Sequence, residues 1–141
     1  MTGQLVWVCD VCKRPIADGK GAVFVRSSDR RAYRKGSEQR RRKRDAFYAA
    51  NPDGLLVESL SELRDSAPPA PWLLMHHKCD KTPDDCAYWF DVARIRTLLA
   101  VITWTHHLLG KGWLGETAWD DLIGRVAYDP VNAAARGEAS S

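Results

Sequence analysis

The chain has 141 residues, 45% hydrophobic and 28% charged, with six Trp among them, which is the size and make-up of one small domain with a modest core. Its formal charge of +3 hides a segregation: ten Lys or Arg lie between Arg26 and Arg44 against only Asp29 and Glu38, about +8 locally, and the remainder is mildly acidic. No apolar run reaches the length of a membrane span, since the longest, Leu98 to Leu109, is interrupted by Thr103, Thr105 and His106, and Met1 to Trp7 is too short for a signal peptide. A cytoplasmic location is expected, and there four cysteines read as metal ligands before disulfides.

The first element expected is a short strand at Leu5 to Val8, running into Cys9-Asp10-Val11-Cys12. The turn-forming Asp18-Gly19-Lys20-Gly21 follows, then a second strand at Ala22 to Arg26. From Ser27 to Ala50 the composition turns to Arg, Lys, Ser and Glu. Residues 38–50 contain no Gly or Pro and can be helical, although a basic helix repels itself and is expected to order on binding. Asn51-Pro52-Asp53-Gly54 is a turn. A short amphipathic segment at Leu55 to Leu63 leads into a Pro-rich linker at 66–71.

Trp72 to Met75 and Tyr88 to Val92 have strand character. Between them lie His76-His77-Lys78-Cys79-Asp80 and a turn at Thr82 to Asp85. Arg94 to Leu109 has the clearest helical period, with Ile95, Leu98, Leu99, Ile102, His106 and Leu109 on one stripe. Val101, Trp104 and Leu108 widen its apolar surface, so the helix is central to the core or joins two copies of the chain in a homo-oligomer. A further helix is expected at 117–127, capped by Thr117, with Trp119, Leu122, Ile123 and Val126 inward. A single domain over 1–127 then carries the basic insertion 27–50, and 128–141 is expected to be a mostly disordered tail.

Two cysteines separated by two residues can turn both sulfurs toward one ion from a tight knuckle, and Cys9 and Cys12 have that spacing. His76 and Cys79 repeat it with ligands of the right class. His77 competes with His76 at a poorer spacing, and Cys86 is another candidate for the fourth position. A redox role for Cys9 and Cys12 lacks the strand-to-helix context of that class. Zinc held by Cys9, Cys12, His76 and Cys79 is therefore the expected cofactor. The halves are too far apart in sequence for a DNA-binding finger of the usual compact kind. A split zinc ribbon or treble clef with a long insertion fits better, its sheet packed against the two C-terminal helices.

Clustered cations attract phosphate backbones through counterion release. The residues expected to do so are Arg30, Arg31, Arg34, Lys35, Arg40, Arg41, Arg42, Lys43 and Arg44, with Tyr33, Phe47 and Tyr48 near enough to stack on bases. DNA is favoured over RNA, and an acidic protein surface is the other partner expected on charge. A helix-turn-helix is disfavoured by the long connection from Gly110 to Glu116 and by Asp120 and Asp121 at the head of the last helix. A one-metal nuclease is a third expectation. It has little support: Asn51 and Asn132 do not lie between the histidines, and His106 and His107 fall in an apolar helix. The chain is read as a non-enzyme.

One resemblance extends over most of the chain outside the basic insert and the tail. Its residues are Cys9-x-x-Cys12 with Pro15, Ile16, Gly19 and Gly21; Trp72, His76, Cys79 and Asp80; Tyr88 to Val92 with Arg94 to Thr97; and Trp104, His107, Lys111, Trp113 and Trp119. This pattern resembles small uncharacterised zinc proteins of actinobacteria, their phages and mobile elements. The resemblance implies a regulatory or accessory setting and carries no established activity. The expected fold is α+β. The expected function is zinc-stabilised nucleic-acid binding, with modulation of a host protein as the alternative.

Overall fold

The computed structural model describes residues 3–55 and 68–138. Among them, three strands and three α-helices make an α+β fold, as the sequence leads one to expect. The strands are β1 (Gly21–Val25), β2 (Trp72–His76) and β3 (Tyr88–Asp91), and the helices are α1 (Ser27–Ala50), α2 (Leu98–Leu109) and α3 (Trp119–Tyr128). The sheet is antiparallel with β1 central, in the order β2-β1-β3. Val23 lies opposite Leu74 on one side and Phe90 on the other. Because side chains alternate across a pleated sheet, this row faces the core, as do Val25 and Trp72. The next row, Leu73, Phe24 and Trp89, points to the opposite face.

Trp72 is the hub of the core. Its ring centroid lies 5.1 Å from that of Trp119, 5.9 Å from Phe90 and 6.1 Å from Trp113. Its indole N–H donates to the Thr117 hydroxyl at 2.9 Å, and that hydroxyl donates to the Leu114 carbonyl at 2.7 Å. A buried indole needs such an acceptor. The same bonds explain a departure from the expected helix start. Thr117 serves the core instead of capping a helix, and α3 opens at Trp119 with no side-chain cap.

The segment from Leu5 to Cys9 alternates as a strand does, with Leu5, Trp7 and Cys9 buried, yet it is not a fourth member of the sheet. Its backbone makes isolated bridges instead, Gln4 with Thr97 and Val8 with Pro15. Trp7 donates its indole N–H to the Ile95 carbonyl at 2.7 Å. The Arg96 guanidinium donates to the carbonyls of Leu5 and Ile16 and pairs with Asp18 at 2.7 Å. One arginine thus ties the N-terminal segment to the chain ahead of α2.

Helix α2 begins at Leu98, later than the periodicity places it. Thr97 caps it by accepting from the Ala100 N–H at 3.1 Å, and residues 92–95 form a separate 3-10 turn capped by Asp91. Its orientation turns much of the expected stripe outward. Val101 and Leu108 are buried, whereas Leu99 is 72% exposed and Ile102 and Leu109 are each 67% exposed. Two aromatic contacts set this rotation: Trp104 packs on Phe90 at 5.0 Å, and Thr105 accepts from the Trp119 indole at 3.1 Å.

The chain beyond α3 is not a free tail as far as Glu138. Asn132 is 1% exposed; its side-chain oxygen accepts from the Val6 N–H at 2.7 Å. Arg136 donates to the Val126 and Asp129 carbonyls, both at 2.8 Å, so it satisfies the end of α3 from outside. In the Pro-rich stretch, Ala70 is buried and bridges to Thr117 in parallel. The amphipathic segment expected at 55–63 lies outside the described residues beyond Leu55, as do residues 66 and 67 of the linker. Among the described residues no helix is long and apolar enough to cross a membrane.

Candidate metal centre

The buried strand-like run ending at Cys9 is closed by a knuckle. The Cys9 N–H donates to the Arg14 carbonyl at 2.9 Å and the Lys13 N–H to the Cys9 carbonyl at 3.0 Å. Lys13 sits at φ 63°, the left-handed conformation that a non-glycine residue seldom adopts. This tight reversal brings Cys12 back beside Cys9. Asp10 then fastens the knuckle to β2, its N–H donating to the Leu74 carbonyl at 2.7 Å and its carboxylate accepting from the Leu74 N–H at 2.9 Å.

The other half is delivered by the end of β2. His76 lies opposite Gly21 in the ladder, and that glycine is required by space. A Cβ there would stand 2.6 Å from both the Met75 carbonyl oxygen and Ile16 Cγ2. Immediately after His76, a 3-10 turn over His77–Cys79 presents the last thiol. The donor atoms of Cys9, Cys12, His76 and Cys79 all lie within 4.8 Å of one another, with Cys9 buried and the other three half-buried. They form a group that can hold a metal ion.

His76 Nδ1 is 3.3 Å from Cys12 Sγ, and Nε2 is 3.2 Å from the Pro15 carbonyl oxygen. A carbonyl can only accept, so Nε2 carries the proton and Nδ1 is left with its lone pair toward the sulfurs. His77, the competing residue, turns instead toward Trp89, with centroids 6.3 Å apart. Cys86 is not among the clustered donors; burial raises its pKa, as expected of a small half-buried thiol.

The cluster separates its thiols electrostatically. Burial pushes Cys9 up, but hydrogen bonds from the backbone of Cys12, His76 and Val11 outweigh it, holding Cys9 at about 6. Burial pushes Cys79 in the same direction, and hydrogen bonding to Cys9 and Cys12 together with their negative charge takes it to about 11. Several thiols crowded into one small space cannot all ionise without a cation to compensate them, which is the condition a metal ion meets.

The basic segment is a continuous helix, α1, longer than the residues 38–50 read as helical, and none of its residues is buried. At 24 residues it is about 36 Å long. Its first two turns are moored to the body. Arg26, just ahead of it, pairs with Asp80 at 3.2 Å, and Asp85 accepts from both the backbone N–H and the hydroxyl of Ser28. Arg30 and Arg34 both reach Glu116, and the Arg30 guanidinium lies 5.0 Å over the Trp113 ring. Arg31, Lys35, Arg41, Lys43 and Arg44 are exposed. Arg42 is bonded along the helix to Glu38 at 2.7 Å. The nine cations expected on phosphates therefore divide into a mooring pair, Arg30 and Arg34, their neighbours Arg31 and Lys35, and a distal set from Arg40 to Arg44.

Sequence reasoning missed Glu116, Asp10 and Asp85. Each lies far along the chain from the residue it serves, and nothing local marks it. Gly21 could have been found, because a glycine entering a buried strand signals close backbone approach. No protein-family model, curated protein or solved structure matches the chain.

Proposed function

We propose that the chain is a nucleic-acid-binding accessory or regulatory protein, stabilised by a zinc ion on Cys9, Cys12, His76 and Cys79, that grips phosphates with α1. Three thiols and an imidazole are the donor set of a structural zinc site, and four protein donors leave no open position for substrate. A tetrahedral zinc needs its sulfurs about 3.8 Å apart and its sulfur-to-nitrogen contacts about 3.6 Å, spacings that this cluster reaches with small adjustments. A knuckle facing a second half at the end of a strand supports a split zinc ribbon or treble clef.

The observation that carries the reading is the unburied α1. It holds nine Lys or Arg against three acidic residues, a net of +6, and no apolar face calls for burial against the body. A rod of that charge anchored at one end is suited to lie along a phosphate backbone. Binding of fluorescently labelled duplex and single-stranded DNA and RNA, followed against salt, tests it. Successive residues step around a helix, so about three of Arg40, Arg41, Arg42, Lys43 and Arg44 can face one surface. Replacing all five by Gln lowers the salt slope by about 2–3, each phosphate contact counting roughly 0.9. A slope unchanged in that variant defeats the reading.

A second reading, a module that modulates another protein, is favoured by one observation. Leu99, Ile102 and Leu109 form an exposed apolar stripe along α2, of the sort that partner helices cover.

A further inference from the structure

The sheet face opposite the core is not flat. Beside it, the loop from His77 to Cys86 borders an open cavity of about 470 Å³, within the size range of small-ligand and side-chain pockets. Phe24 and Met75 form its apolar wall, and Trp89 stands at its side. The other five Trp are buried or half-buried, but Trp89 is 58% exposed. An indole left in water beside a pocket gives a ligand an aromatic face without rearrangement of the protein.

The charged side chains that line the cavity are carboxylates, one of them, Asp80, paired with Arg26 beside it. Asp80 and Asp84 line it, and neither Lys nor Arg does. A second cavity on the other side of His76 and His77 carries Lys20 and Lys78 and no carboxylate. The contrast makes the sign of the first cavity specific to the site. The protein's own Arg26 already exploits this chemistry nearby. Its guanidinium lies 5.0 Å over the Phe24 ring and donates to Asp80 and to the carbonyls of Thr82 and Asp85. That leaves Asp84, an exposed carboxylate with no hydrogen-bond or ion-pair partner among the described residues.

We propose that this groove receives a lysine side chain from a basic segment of a partner protein. The alkyl stem would lie along Met75 and Trp89, with its ammonium against Asp84 and the indole face. A single carboxylate suits an ammonium, which is a point charge, better than a guanidinium, which seeks a planar pair of acceptors. The aromatic face adds cation–π attraction, and the apolar wall matches the methylenes. The site borders the mooring of α1 through Asp80 and Asp85, lies apart from Arg40 to Arg44, and does not require nucleic-acid binding.

The test is nuclear magnetic resonance on the full-length, metal-containing protein, titrated with a capped Gly-Gly-Lys-Gly-Gly peptide and with the same peptide Nε-acetylated. The chain has two Met, so the Met75 methyl is readily assigned, and the Trp89 indole N–H provides a second probe. With the lysine peptide, both signals move and saturate with a Kd of roughly 1 mM, an affinity suited to one side chain. With the acetylated peptide the shifts fall at least fivefold. Asp84→Asn weakens binding about threefold to tenfold, and Trp89→Phe weakens it less than Trp89→Ala. Both residues are exposed, so an unchanged thermal midpoint certifies the fold of each variant. Equal shifts from the acetylated peptide, shifts confined to other parts of the protein, or no shift at 5 mM, roughly five times the expected Kd, would each overturn the proposal.

Discussion

The metal knuckle and α1 hold their shapes by opposite means. Around the knuckle, every backbone turn is over-determined: Lys13 is forced to positive φ, Gly21 has no room for a methyl group, and Asp10 locks two chains together. Helix α1 buries none of its side chains and is held at one end by a few charged contacts. The difference teaches where changes should be felt. A fault in the knuckle propagates through β2 into the core, whereas a fault in the distal half of α1 alters charge and little else.

The sharpest way to break the comparison is to remove the metal proposed for the knuckle. Chelation, or Cys79→Ser, leaves a half-buried cluster of thiols without a cation. The expected result is loss of at least ~3 kcal/mol and of the near-ultraviolet circular dichroism of the packed Trp residues, since the binding energy of such an ion is folding energy. Arg41→Gln should leave the melting temperature within about 2 °C. Metal analysis of the purified chain should give a ratio near one zinc per chain, dropping well below that in the cysteine variant. A chelated protein that melts as the untreated one does would show the knuckle to be self-supporting.

Gly21→Ala tests the same region without touching a donor. The new methyl group would meet a carbonyl oxygen of β2, which cannot move aside as a flexible side chain can. A cost of about 2–3 kcal/mol is expected, together with slower metal uptake, because the ladder between Gly21 and His76 sets the position of the imidazole. Urea denaturation and a colorimetric metal-uptake assay measure the two effects.

How much of this was legible in the sequence differs between the same regions. The four clustered donors follow from spacing, because Cys-x-x-Cys and His-x-x-Cys carry their geometry locally. The strands at 22–26, 72–75 and 88–92 follow from β-branched and aromatic runs. The face of α2 was not legible. Leu99, Ile102 and Leu109 satisfy the helical period as well as Val101 and Leu108 do, and the choice was made by Trp104 meeting Phe90 across the fold. Periodicity finds an apolar face but cannot rank two of them on a helix that is apolar over most of its circumference. The role of Thr117 was hidden for the same reason, since its partner Trp72 is remote in sequence.

Glu116→Gln acts on the joint between the regions. Hydrogen bonding from Arg34 lowers the Glu116 pKa most; partial burial opposes it, and Arg30 adds to the lowering. A carboxylate whose pKa falls on folding contributes stability that is fully present above its ordinary value of 4.5 and is lost as pH drops through the folded value. Docking of α1 should therefore weaken below about pH 4.5 in the parent chain, and the variant should lack that step. The cost near neutrality is about 1 kcal/mol, discounted because solvent reaches the site. Hydrogen exchange in residues 27–34 reports it, and exchange unaltered in the variant would mean that Ser28, Asp85 and Arg26 suffice to hold the helix.

The smallest effect is expected at the stripe that the helical period picks out and the structure turns outward. Ile102→Ser removes a large apolar side chain from the middle of α2, which ordinarily signals severe damage. Here the side chain is 67% exposed, so the change should cost no more than about 0.5 kcal/mol. Leu108→Ala, on the other side of the same helix and fully buried, serves as the reference at about 2–5 kcal/mol. If instead Ile102→Ser destabilises strongly, and the loss grows with protein concentration over the range in which sedimentation detects association, the stripe is a contact between two copies of the chain. A strong loss that is independent of concentration would mean that α2 turns its other side to the core, and the Trp104–Phe90 contact that fixes its rotation would have to be abandoned.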